Sequence, residues 1–71
     1  MKLAGNFNGW KEESLIRNKT DIWEIRKYIA DGKYLYKFII DGRWRSDPIN
    51  VQKEPDNYGD FNSVIYVMNY D

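Results

Sequence analysis

Cysteine and histidine are both absent from this 71-residue chain. No disulfide can staple the fold, and the usual thiolate and imidazole ligands of a zinc site are missing. Without histidine the chain also lacks the side chain that most often does acid–base work near neutral pH. Eleven Lys plus Arg balance eleven Asp plus Glu, leaving no excess of either sign. A nucleic-acid partner or a polybasic membrane surface needs clustered basic charge, so neither is expected. No apolar run reaches the ~20 residues of a membrane-spanning helix, and Met1-Lys2 leads into Leu-Ala-Gly rather than a signal-peptide core. The lack of cysteine is compatible with a reducing compartment. Together these features predict a soluble, unprocessed, cytoplasmic chain that carries no metal or cofactor.

A chain of this length is one domain at most (1–71) and buries only about 60% of its unfolded surface. Its thin core must rely on aromatic packing, supplied by three Trp, six Tyr and three Phe. Tyr34–Pro48 organises the rest. Tyr34, Tyr36, Phe38 and Ile40 share one parity, a stripe fit for a core, while Leu35, Lys37 and Ile39 point the other way. Lys37 is thus expected on an outer face. Asp41-Gly42 supplies a two-residue hairpin turn, and Asp47-Pro48 ends the return strand. Lys2–Ala4 reads as the end of a strand, followed by the loop Gly5–Gly9 and Trp10. Ser14–Arg17 reads as a short strand, with a turn at Asn18–Asp21. Ile22–Ile29 predicts a further strand, with Trp23 in its core. Ile49–Gly59 reads as a structured loop, and Phe61–Val67 as the last strand. No helix, repeat or low-complexity tract is evident. The pattern is that of an antiparallel β-sandwich.

Catalytic chemistry is not expected. The acids Asp31, Asp41, Asp56 and Asp60 sit where turns need them, and Ser14, Ser46 and Ser63 have no base partner. GNFNG lacks the lysine and the helix of a phosphate-binding loop. What stands out instead is a set of aromatics with polar neighbours: Trp10 in a loop, Trp44 between two arginines after a hairpin, Lys37 and Asn62. A tryptophan is a flat apolar plate suited to the C–H face of a sugar ring, and lysine and asparagine suit its hydroxyls. The Arg43-Trp44-Arg45 triplet also has the composition of a single-strand stacking platform, which the zero net charge disfavours.

Four motifs in order, LAGNFNGW (Leu3–Trp10), Trp23, DGKYLYKFIIDGRWRSDP (Asp31–Pro48) and YGDFNSVIYV (Tyr58–Val67), closely resemble the glycogen-binding domain of carbohydrate-binding module family 48. That family includes the β subunits of AMP-activated protein kinase and the N-terminal modules of glycogen branching and debranching enzymes. The resemblance implies an immunoglobulin-like (early-set) sandwich. It further implies non-catalytic binding of α-1,4-glucans: glycogen, starch or maltooligosaccharides. Trp10 and Trp44 would stack on glucose rings, Lys37 and Asn62 would bond hydroxyls, and Tyr58 falls near a loop residue that inserts against the sugar.

Family members normally have a strand before the segment matching Lys2–Ala4, and this sequence starts too late to show one. That departure predicts an unpaired strand edge and an uncovered flank of core, and hence a homodimer formed by edge pairing or a truncated module. The alternative function is a protein-interaction or scaffold module of a kinase complex or glycogen-metabolising enzyme, with sugar binding weak or lost. Either reading allows a kinase or amylolytic partner.

Overall fold

Alternation of apolar and polar residues, cut by Gly, Asn and Asp, produces eight strands in a computed structural model that describes residues 1–69. They are β1 (Lys2–Gly5), β2 (Glu13–Ser14), β3 (Ile16–Arg17), β4 (Trp23–Glu24), β5 (Gly32–Ile40), β6 (Arg43–Arg45), β7 (Lys53–Pro55) and β8 (Phe61–Val67). The described residues contain no helix, and every strand pair is antiparallel. Six strands form one sheet in the order β2-β1-β5-β8-β7, with β6 also on β5, and β3 pairs β4 in a second, small sheet. This is the expected all-β class, consistent with a sandwich. The last two positions of the expected 1–71 module lie outside the described residues.

The nine residues of β5 hold the large sheet together. One edge pairs β1; the other pairs β8 over Gly32–Tyr36 and β6 over Phe38–Ile40. Directly opposed residues of antiparallel strands share a face. Leu35 opposite Val64, Lys37 opposite Ala4, and Ile39 opposite Trp44 therefore lie on one face of the sheet. Tyr36 opposite Ser63 and Phe38 opposite Leu3 lie on the other. Asp41 and Gly42 turn the chain from β5 into β6 with φ of 51° and 78°, as a two-residue hairpin requires.

The structure corrects several expectations. Lys37 lies on the face opposite Tyr36, as expected, but that face is not bare: Lys37 is 9% exposed and its neighbour Ile39 only 4%, so both faces of β5 are covered. Trp23 is 40% exposed instead of core: its strand is two residues long, and Arg17 lies over its ring at 5.7 Å from the centroid. The strand expected over Ile22–Ile29 shrinks accordingly to Trp23–Glu24. Within the segment read as loop, Lys53–Pro55 pairs with Phe61–Ser63. Nor is the edge beside Lys2–Ala4 bare, since Lys2 and Leu3 have β5 on one side and β2 on the other. The strands at the ends of the sheet order, β2 and β7, are two and three residues long, a form that limits pairing between copies. Phe61 and Ile65 remain exposed, as an uncovered flank would leave them.

Half-buried polar groups in the loop after β6, bonded to buried groups of β5 and β8, help so thin a core keep its shape. The Tyr36 hydroxyl donates to Asp47 Oδ2 (2.8 Å) and accepts from Asn50 Nδ2 (3.0 Å). Asn50 Nδ2 also reaches the Val64 carbonyl (2.8 Å), and the fully buried Ser63 Oγ accepts from the Asp47 amide (2.7 Å). The loop is thereby tied to both β5 and β8. Burial raises the Tyr36 hydroxyl above the ordinary phenol range.

At the other end of β1, Gly5 is needed for space. A Cβ there would lie 2.3 Å from Phe7 Cε2 and 2.6 Å from the Leu35 backbone oxygen. Gly5→Ala is therefore expected to destabilise the domain by about 1–3 kcal/mol through overpacking, read as a lower urea midpoint with an unchanged slope.

Candidate functional site

The loop Gly5–Gly9 is built by its asparagines. Asn6 exchanges two bonds with Leu35: its amide donates to the Leu35 carbonyl (3.0 Å) and its Oδ1 accepts from the Leu35 amide (3.1 Å), which extends the β1–β5 ladder by one residue. Asn8 Oδ1 accepts from the Gly5 amide (3.3 Å), and its Nδ2 donates to the Lys11 carbonyl (2.9 Å) and to Glu13. Phe7 packs edge-on against Tyr34, with centroids 6.2 Å apart. The chain then leaves through two left-handed residues, Gly9 (φ 70°) and Trp10 (φ 64°), and the Trp10 amide closes the loop on the Gly5 carbonyl (2.8 Å). Left-handed backbone disfavours a non-glycine residue by roughly 1–2 kcal/mol. Residues held in this way concentrate at functional sites.

Trp10 comes from that loop and Trp44 from β6, yet both line the same cavity, of about 870 Å³. Lys37 and Leu35 reach it from β5, Asn62 from β8, and Tyr58 from the loop after β7. The structure thus brings together all five residues singled out in the sequence: Trp10, Lys37, Trp44, Tyr58 and Asn62. Their exposures differ. Tyr58 is 91% and Trp44 42% exposed, Trp10 and Asn62 are half-buried, and Lys37 is nearly covered.

Asp56 was legible only as a turn residue, and it proves to be the partner of Lys37. Its Oδ2 accepts a hydrogen bond from Lys37 Nζ, and the two side chains are 5% and 11% exposed. Its Oδ1 accepts from the amides of Tyr58 (2.8 Å) and Asp60 (2.9 Å), and its own amide donates to the Asp60 carbonyl (2.8 Å). One carboxylate therefore meets a cation from the sheet and folds the loop that carries Tyr58. The only sequence signal was the turn-like Asp56-Asn57-Tyr58-Gly59, which does not say what a second oxygen would bind. No group of His, Cys, Asp or Glu among the described residues is arranged to hold a metal ion.

The sequence matches, over residues 1–71, the family described as the glycogen recognition site of AMP-activated protein kinase. The chain belongs to this family. It is 35% identical over 72 residues to the 5'-AMP-activated protein kinase subunit beta-1 of Bos taurus, and 33% identical over 72 residues to that of Homo sapiens. Both alignments cover 97% of this chain and 25% of the relative. The SNF1-related protein kinase regulatory subunit beta-2 of Arabidopsis thaliana is 29% identical over 68 residues, covering 96% of this chain and 23% of the relative. The chain thus spans about a quarter of the length of these relatives. The family is a recognition site and not a catalytic domain, in line with the chemistry the sequence lacks. No helix among the described residues is long and apolar enough to cross a membrane.

The Lys37 bond, followed by the Asp60 and Tyr58 amides, lowers the Asp56 carboxyl from an ordinary 3.8 to about 2. The folded value lies below the unfolded one, so this stabilisation is complete above about pH 4 and is lost as the pH falls toward 2. Glu13 is also lowered, by Lys27 and Asn8, and adds to the same acid limb. Denaturant midpoints followed from pH 5 to 2 should fall in the wild type. They should fall less steeply in Asp56→Asn, leaving the Glu13 contribution.

Proposed function

We propose that the chain is a non-catalytic module that binds α-1,4-linked glucan, such as glycogen, starch or maltooligosaccharides, in the cavity between Trp10 and Trp44. The observation that carries this reading is the convergence of two indoles, a lysine and an asparagine from four separate elements on one open cavity. The indole faces suit the C–H faces of glucose rings, and an indole has only two side-chain torsions to fix, so little side-chain entropy is lost on contact. Lys37 keeps N–H donors beyond the one given to Asp56, and Asn62 offers a donor and an acceptor. Tyr58, on a loop tied at both ends to Asp56, supplies an exposed ring at the rim. A shallow site of this kind binds each chain weakly, and a branched polymer offers many chains to compensate. Glycogen recognition within a kinase complex is the matching biological setting.

A second reading, an interaction module of such a complex with sugar binding weak or lost, draws on the exposed Phe61 and Ile65 away from the cavity. Amylose resin separates the two: retention supports the first reading, and passage through the column the second. Homodimer formation by edge pairing has little support, since the strands ending the sheet order are so short.

Maltoheptaose should change the tryptophan fluorescence of the wild type. Trp10→Ala and Trp44→Ala should each weaken binding about tenfold or more, equivalent to about 1.4 kcal/mol. Trp23→Ala should leave the affinity unchanged. A wild type that gives no response, in solution or by retardation in glycogen gels, overturns the assignment.

A further inference from the structure

We propose that Asp56 is the positioning residue of the cavity, holding the Lys37 ammonium with one carboxylate oxygen and the Tyr58 loop with the other. A lysine almost covered by its neighbours needs a partner, since an isolated buried ammonium is strongly disfavoured. Across the sheet from Lys37 stands Ala4, which offers no counter-charge. Farther along the same face Lys33 is already engaged with Glu54. Of the acids lining the cavity, Asp60 makes no ion pair with Lys37 and Asp56 does. Asp56 thus fixes where the ammonium sits against the two indoles.

The second oxygen acts on the loop. By accepting from the amides of Tyr58 and Asp60 it closes residues 56–60 into a compact turn, which orients the most exposed ring of the cavity. A single carboxylate therefore couples the floor of the cavity to its rim, and loss of either oxygen should have a separate signature. The role in glucan affinity rests on the function proposed above; the pinning of Lys37 and of the loop does not.

Asp56→Asn keeps an oxygen for the two amides and removes the charge facing Lys37. Acylation by an amine-reactive reagent, read lysine by lysine by mass spectrometry, should become several-fold faster at Lys37 and stay unchanged at Lys11 and Lys19. Amide exchange at Tyr58 and Asp60 should stay slow in Asp56→Asn and become at least tenfold faster in Asp56→Ala, with β5 amides protected in both variants. An unchanged Lys37 rate in Asp56→Asn overturns the proposal, whether or not glucan binds. In maltoheptaose titrations Asp56→Asn should weaken binding about tenfold, yet have no further effect in a Lys37→Met background. Additive losses would show that Asp56 does not act through Lys37 and would overturn its role in affinity as a positioning residue. A wild type that ignores maltoheptaose instead counts against the function alone, and the acylation result still decides the pinning.

Discussion

Backbone hydrogen bonds to both edges of β5 set the geometry of everything else. Once its register with β1, β8 and β6 is fixed, a period of two decides which side chains meet on each face. Tyr36 then faces Ser63 and the Asp47–Asn50 loop, where its hydroxyl is fully used. Leu35, Lys37 and Ile39 face Val64, Ala4 and Trp44, and the first two line the cavity. A slip of one residue would exchange these two sets, placing tyrosine hydroxyls under the indoles and a lysine among buried polar groups already satisfied.

The cavity itself is made by parts that have little regular structure. Trp10 is held by a loop whose asparagines replace strand hydrogen bonds with side-chain ones, and Tyr58 by a turn built on Asp56. Each loop is anchored next to the ladder: Asn6 on Leu35, and Asp56 beside the β7–β8 pair. With no disulfide and a small core, side-chain-to-backbone bonds of this kind do much of what apolar burial does in larger domains. The family to which the chain belongs is described as a glycogen recognition site, and the proposed use of the aromatic residues is consistent with that description.

Much of this was legible in the sequence, for reasons that can be named. The long strand, the Asp41-Gly42 turn and the last strand follow from alternation and turn chemistry, which are local properties. Four of the residues that line the cavity were singled out because tryptophan, lysine and asparagine stood out against turn-rich surroundings, and Tyr58 because it matched a family pattern. What failed was non-local. Parity showed that Lys37 opposes the aromatic stripe, but not that β1, β6 and the Asp56 loop would cover that second face. The alternation around Trp23 suggested a core position, but its strand is only two residues long and its partner β3 offers little to bury it against. Asp56 looked like one turn residue among several, because only the fold shows what its second oxygen touches.

The central claim is that one face of β5 carries a platform for a glucose polymer. Intermolecular nuclear Overhauser effects in a complex with maltoheptaose test it most directly. The account predicts contacts from sugar C–H protons to the indole protons of both Trp10 and Trp44, with none to Trp23. Contacts confined to the flank of Phe61 and Ile65, or reaching only one of the two indoles, would contradict it.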